Sequence, residues 1–441
     1  MEGVSQRHLS LFAAMSLVVS SMIGTGVFTS LGYQLNDIQS GFSILMLWLT
    51  GGVISLFGAL CYSELGAALP KSGGEYHLLS RILHPSIGLS AGIVSATVGF
   101  SAPAVIAAIA LANYLKPVFP FIKEKFFAII VILAINAIHG FSLGFGKSFQ
   151  TWSTSFKLFV MFLFIFAGIF SFDKQNISFL PKLSDLDILF SPEFAVNLVW
   201  VSYAYAGWNS SIYVVGEIQK PGKNIFRSIL IGTTVVTFLY ILINYVFLIV
   251  SPISDLRGEV EVGYISGLSL FGAKYAGYIS LLIGLLLLST VSSYIYVGPR
   301  IIQAIGKDYD QLSFLSKINK NGIPFNAFTA QLVISLVFIL TSTFKQVVLY
   351  TGIILIITTT ITVCSLLYLR IIEPDLKRPY RTWGYPYTPI IFVMLNLWVL
   401  FYTFTIQPVE SIVGICLMIF SLGLFYILKK EDKYESKDKA S

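Results

Sequence analysis

Charge is scarce in this chain. Asp, Glu, Lys and Arg make up 12% of its 441 residues, about half the share found in soluble domains. That excludes a soluble multi-domain enzyme. It also excludes a disordered or nucleic-acid-binding chain, in spite of the formal charge of +7. Cysteine is scarcer still. Cys61, Cys364 and Cys416 all lie in apolar runs without CxxC spacing, so neither a disulfide framework nor a zinc site follows. His8, His77, His84 and His139 share no spacing that makes a metal site or a nucleophile with its base, and they read as interfacial residues. No loop is long enough to hold a separate extramembrane domain. Residues 141–148, FSLGFGKS, miss the phosphate-loop pattern by one position, because Phe141 stands where a glycine is needed. No cofactor is implied.

Apolar residues, by contrast, make up 56% of the chain, with a mean hydropathy of +0.80. A helix needs about 20 such residues to cross a hydrocarbon core, so the chain has room for roughly a dozen. Reading apolar runs against breakers predicts twelve spans, at 10–35, 41–68, 86–114, 124–142, 150–171, 191–218, 225–250, 264–298, 325–343, 346–371, 386–405 and 409–428. The expected class is an all-α polytopic membrane protein with 12 transmembrane helices. The first apolar run is far longer than a signal-peptide core and reads as a retained span. An even number of spans puts both termini, 1–9 and the polar tail 429–441, on one face. The segments on that face hold 21 of the 29 Lys and Arg residues. Positive charge collects on the cytoplasmic side, so both termini are expected there, in a plasma membrane that for a bacterium is the inner one.

Two spans are interrupted. Span 1 contains Ser20-Ser21-Met22-Ile23-Gly24-Thr25-Gly26-Val27-Phe28, and span 6 contains Tyr203-Ala204-Tyr205-Ala206-Gly207-Trp208-Asn209-Ser210-Ser211. Lipid cannot satisfy backbone groups freed by such breaks. Spans 1–5 (10–171) and 6–10 (191–371) are of similar length, and each set opens with its interrupted helix. Five is odd, so the second set enters from the opposite face: a five-plus-five inverted repeat, with two further helices at 386–428. Paired breaks in corresponding positions point to a transporter substrate site. A half-helix N-terminus offers amides to an anion, and a half-helix C-terminus offers carbonyls to a cation. The amides of Thr25, Gly26 and Val27 would face the anion, helped by those after Gly207. The carbonyls of Ser21, Met22 and Ile23, with those of Tyr203, Ala204 and Tyr205, would face the cation. An α-amino acid carries both charges a few ångströms apart. On this reading a side chain added at Gly26 blocks the ligand while leaving the fold intact.

These motifs resemble the APC superfamily, most closely its L-amino acid transporter branch. The resemblance rests on SSMIGTGVF, on YAYAGWNSS followed by GEIQKPGKNIFRSI, and on Arg300 with GIPFNA downstream. It covers spans 1 to 10 in order. It implies alternating access for amino acids, with the carboxylate on the Gly24-Thr25-Gly26 backbone; Gly207 and Asn209, as residues of the second break, are also expected in the substrate site. It also implies that Tyr203 is a bulky aromatic gate and that Lys157 replaces a bound sodium ion. Eukaryotic members of the branch can bind a heavy subunit through a cysteine after span 3. The loop around Lys116–Phe121 has none, so no disulfide-linked heavy subunit is expected.

Read without the resemblance, Lys157 lies about 10 Å into span 5, where it either snorkels to the interface or sits between the halves. Ser289, Thr290, Ser292 and Ser293 on span 8 face the same choice between lining the site and bonding their own helix. Glu64 and Glu217 read as interfacial ion pairs or gate contacts. Energy must come from gradients or exchange. The expected function is secondary active transport: sodium-independent exchange of neutral L-amino acids, since no charged residue lies within the breaks. The alternatives are proton-coupled symport, exchange of cationic amino acids or polyamines, and a channel or non-transporting receptor.

Overall fold

A computed structural model describes residues 9–141, 144–319 and 322–428. The expected tail at 429–441 and all but Leu9 of the expected N-terminal segment lie outside these residues. The described residues are helical, with one isolated parallel bridge between Leu9 and Ile218. In chain order the helices are α1 (Leu11–Met22), α2 (Gly26–Gln34), α3 (Gly41–Ala68), α4 (Gly74–Ile82), α5 (Pro85–Val94), α6 (Ala102–Leu115), α7 (Glu124–Phe141), α8 (Gly144–Ile169) and α9 (Leu183–Leu189). They continue with α10 (Pro192–Tyr205), α11 (Ser210–Tyr213), α12 (Pro221–Val250), α13 (Ile253–Leu256), α14 (Val262–Phe271), α15 (Ala273–Asp308), α16 (Phe325–Thr341), α17 (Phe344–Ile372), α18 (Tyr387–Ile406) and α19 (Pro408–Ile427).

Among the described residues, eight helical stretches are long and apolar enough to cross a membrane, and Thr154–Ile169, Val262–Phe271 and Phe325–Thr341 are shorter apolar helices. Large apolar side chains such as Phe162 and Phe166 on α8, Leu397 and Phe401 on α18, and Phe420 on α19 point outward. Outward apolar surface on that scale fits lipid, not water. The chain is a polytopic integral membrane protein.

Helix starts follow local chemistry. The Ser10, Ser40 and Ser191 hydroxyls accept from the amides of Ala13, Ser43 and Phe194, capping α1, α3 and α10. Pro85, Pro192, Pro221 and Pro408 occupy first turns, where the missing N–H costs nothing. Three features depart from the sequence expectations. The run 264–298 is two helices, α14 and α15, separated by Gly272 at φ 76°, and α15 continues past Pro299 to Asp308. Residues 95–101 join α5 to α6 through a π-helical segment. His139, expected to be interfacial, is packed inside the protein: it is 2% exposed, and its Nε2 lies 2.7 Å from the Ser292 hydroxyl. His77 lies on α4, outside the spans, where burial, aided by Lys71 and Arg81, lowers its pKa to about 4 and keeps it neutral at pH 7.

The broken spans sit at the centre of the packing. Helix α10 packs against α2, α3, α17 and α18, while α12 packs against α1 and α3. Rings of Trp48, Tyr205 and Tyr240 interlock there, with Tyr205 and Tyr240 centroids 5.0 Å apart.

Candidate functional site

In span 1, α1 ends at Met22 and α2 starts at Gly26. Two glycines around Thr25, both poor helix formers, account for an interruption of only three residues. In span 6, α10 ends at Tyr205, the Ala206 amide turns back to the Tyr203 carbonyl at 3.1 Å, and Gly207 takes φ 106°. That φ is open to glycine and strained for other residues. The segment after it disappoints one expectation. Helix α11 is a single turn followed by a 3-10 turn at Val215–Glu217, so few peptide dipoles add up behind the amides after Gly207.

The two breaks lie against each other. A Cβ built on Gly26 would stand 2.4 Å from the Cα of Ala204, and one built on Gly207 would stand 2.8 Å from the Ser21 carbonyl carbon. The Thr25 hydroxyl does not cap its own helix. It reaches across to the Tyr203 hydroxyl at 2.5 Å. This contact brings the start of α2, where the Phe28 amide turns back to the Thr25 carbonyl and those of Gly26 and Val27 have no intrahelical acceptor, beside the carbonyl end of α10. It also corrects the expectation for Gly26: the space its missing side chain leaves is taken by Ala204, so a larger residue disturbs packing before it meets any ligand.

Met22, Ile23, Thr25, Val27, Tyr203, Ala204 and Tyr205 are buried, at 5% exposure or less, and Ser21, Gly207 and Asn209 are half-buried. Gly24 is buried with room around it: a Cβ there would meet the Thr290 methyl at 3.4 Å. Two expected site residues are engaged elsewhere. Tyr205 turns its hydroxyl to the Trp48 carbonyl of α3, at 3.1 Å. The Asn209 amide donates to Glu75 Oε1 at 2.5 Å. Lys157 is 1% exposed on α8, which packs against α1, α12 and α15. Burial of that degree does not fit snorkelling. On α15, Thr290 and Ser293 bond their own helix, through the carbonyls of Leu286 and Ser289.

Two residues that sequence reasoning missed organise the site. The Tyr240 hydroxyl on α12 donates to the Met22 carbonyl at 2.5 Å and also lies 3.0 Å from the Ala204 carbonyl, bridging the ends of both broken helices. Glu75 on α4 is 3% exposed. It accepts from Tyr62 at 3.1 Å, from Asn209 and from the Tyr213 hydroxyl, joining α3, α4 and the segment after the break. Tyr240 lies in an uninterrupted apolar run and Glu75 follows Gly73-Gly74 between two spans, and only their long-range contacts reveal them. Glu64 pairs with Arg370 at 2.7 Å and accepts the Thr382 amide at 2.7 Å. On the opposite face the Gly258 amide donates to the Gly32 carbonyl at 2.7 Å, and Tyr33 stacks on Trp200 with centroids 4.5 Å apart. Among the described residues, no three His, Cys, Asp or Glu side chains form a group able to hold a metal ion.

A family model described as amino acid permease matches residues 9–428. The chain belongs to the amino acid permease family. This permease is 26% identical over 432 residues to the large neutral amino acids transporter small subunit 2 of Mus musculus, covering 96% of this chain and 81% of the relative. It is 24% identical over 434 residues to the b(0,+)-type amino acid transporter 1 of Mus musculus, covering 96% and 88%. A third relative, the Asc-type amino acid transporter 1 of Mus musculus, is 24% identical over 436 residues, covering 96% and 81%. The permease is a transporter and not an enzyme.

Proposed function

We propose that this permease is a secondary active transporter that exchanges neutral L-amino acids across a plasma membrane by alternating access, independently of sodium. One observation carries the reading: the breaks of spans 1 and 6 touch, setting the amides that open α2 beside the carbonyls that close α10. That pairing suits a carboxylate and an ammonium on one small molecule. The substrate site comprises Ser21 to Val27 with Tyr203, Ala204, Tyr205, Gly207 and Asn209. Tyr203 acts as the gate, and Lys157 stands in for a bound cation beside α1. The architecture is twelve spans, with inverted repeats at 10–171 and 191–371, two further helices at 386–428, and both termini cytoplasmic. Glu75, a carboxylate bonded to the site residue Asn209, already receives three neutral donors, which favours substrates without a cationic side chain. One relative is named a small subunit, which implies a larger companion for that protein. A companion of this chain would be held without a disulfide in the loop around Lys116–Phe121, which has no cysteine.

Proteoliposomes loaded with a neutral amino acid test the proposal. External radiolabelled amino acid should enter by counterflow, unchanged when choline replaces sodium. Amino acid amides and deaminated acids should compete far less well than the parent. A deaminated analogue that competed equally would refute the site, and a sodium requirement would refute the mechanism. Proton-coupled symport is the second reading, and Glu75 is what favours it: a buried carboxylate bonded to Asn209. Strong stimulation by an inward proton gradient would decide for it.

A further inference from the structure

The linker between α8 and α10 carries apolar surface that no span accounts for. Phe172, Leu180, Leu183, Leu186 and Phe190 are each 54% or more exposed. Leu183, Leu186 and Phe190 follow the three- and four-residue steps that keep side chains on one face of a helix, here the short α9 and its C-cap. The opposite face is engaged: Ile188 and Leu189 pack on the core, and Asp185 is buried. The linker is held firmly. The Ser40 and Ser43 hydroxyls donate to Asp185 Oδ1 at 2.5 and 2.8 Å, and the Lys182 amide donates to its Oδ2 at 2.7 Å. Ser40 caps α3, so this carboxylate sets α9 level with the first turn of a span. The last turn of α12 gives the same level: the Gln175 amide donates to the Ile249 carbonyl at 2.7 Å, and Phe179 lies on Tyr245 with centroids 4.8 Å apart. Ser191, the cap of α10, follows Phe190 directly. Three span ends thus place α9 at the boundary between hydrocarbon and water.

We infer that the linker 172–190 is an interfacial membrane anchor, with Leu183, Leu186 and Phe190 inserted among the headgroups and upper acyl chains of the leaflet on that face. Exposed apolar faces of this size mark contact with a membrane or with another protein. Continuity with α8 decides for lipid. Phe159, Phe162, Phe166 and Phe170 form an exposed stripe along α8 that leads through Phe172 into the linker. Helix α8 also packs against α12, the helix whose last turn holds the linker. A helix lying in the membrane plane buries its apolar face about 5–10 Å into the headgroup and acyl boundary, the depth at which the span ends hold α9. The anchor fixes the start of α10, one residue further on, to the plane of the bilayer.

Spin labels test the depth of α9 in vesicles of phosphatidylcholine and phosphatidylglycerol. Leu183→Cys, Leu186→Cys and Phe190→Cys are each made in a protein carrying Cys61→Ala, Cys364→Ala and Cys416→Ala, and each is labelled with a nitroxide. Ser254→Cys, at an exposed position just beyond α12, is the reference in water. Oxygen concentrates in lipid and a nickel chelate stays in water. The ratio of their relaxation effects should exceed the Ser254→Cys ratio about threefold or more at all three positions, as insertion of about 5–10 Å requires. A second arm uses the wild-type chain and needs no variant to fold. Photolysis in vesicles containing a phosphatidylcholine with a diazirine near its acyl carbonyl should label peptides within 172–190. Ratios equal to that of Ser254→Cys, or a linker left unlabelled by the lipid, would overturn the inference. Dipolar broadening between labels at all three positions would also overturn it, by assigning the face to a second copy of the chain. Neither arm reads transport, so failure of the proposed function would leave both results standing.

Discussion

Gly26→Ala is the smallest change that tests how the two breaks meet. The added Cβ would stand 2.4 Å from the Ala204 Cα and 2.6 Å from its Cβ, where ordinary contact begins near 3.4 Å. The obstacle is backbone and cannot rotate away, so α2 and α10 must part by about 1 Å. Overpacking of this kind costs about 1–3 kcal/mol. The same movement stretches the adjacent Thr25–Tyr203 hydrogen bond from 2.5 Å to the limit of bonding, and the loss of that one buried bond costs about 1–3 kcal/mol. A total of ~2–6 kcal/mol is a large part of the stability of an ordinary domain. Gly26→Ala should therefore lower the melting temperature in detergent and abolish counterflow in proteoliposomes. Gly24→Ala is the control. Its Cβ would meet only the Thr290 methyl at 3.4 Å, so its melting temperature should stay near wild type. Lost transport in that stable protein would place Gly24 in the ligand path. A Gly26→Ala protein with wild-type melting and uptake would refute the apposition of the breaks.

Three further outcomes follow from named contacts. Tyr203→Phe leaves the Thr25 hydroxyl buried without its partner, so it should cut transport about tenfold, and adding Thr25→Val should cost less than the two single changes together; strict additivity in that double-mutant cycle would mean that the bond is idle. Lys157→Ala should reach the membrane and transport poorly, and wild-type uptake should be indifferent to sodium; a Lys157→Ala protein with full activity would remove the lysine from the mechanism. Glu75→Gln replaces charge-assisted bonds of about 1.5–3 kcal/mol each with neutral ones of about 0.5–1.5, so it should loosen closure and raise the labelling of a cysteine introduced at Ser210. Should a proton gradient drive wild-type uptake, Glu75→Gln should lose that response, because the amide mimics the protonated acid.

Much of the fold was legible because lipid imposes a simple test on sequence: a stretch is apolar for about 20 residues or it is not. The same severity made the breaks at Gly24–Gly26 and Gly207 stand out, since polar and glycine-rich backbone is costly at that depth. The division at Gly272 was not legible, because one glycine in an apolar run reads equally as a packing residue. Helix α4 escaped because it is short and amphipathic and lies between spans. Glu75 escaped with it: sequence places that residue in a loop, and only the fold turns its carboxylate onto Tyr213 and Asn209. Hydropathy reports how deep a residue lies and says little about which neighbour it faces. For the same reason His139 reads as interfacial and is buried against Ser292.

Tyr240 shows what that blindness to neighbours hides. Breaking two helices in a membrane frees carbonyls at Met22 and Ala204, and lipid offers no donor for either. The protein supplies one hydroxyl to both, at 2.5 and 3.0 Å, and a hydroxyl has a single proton to give. The pair is therefore held together but never fully satisfied. An ammonium group brings three protons and a charge, and charge-assisted bonds are roughly twice as strong as neutral ones. In the proposed site a substrate amine arriving at these carbonyls would improve on Tyr240, whereas a deaminated analogue would leave the tyrosine in place and gain nothing. On that proposal, selectivity for the zwitterion would need no charged side chain in the site, only two helix ends kept slightly short of donors.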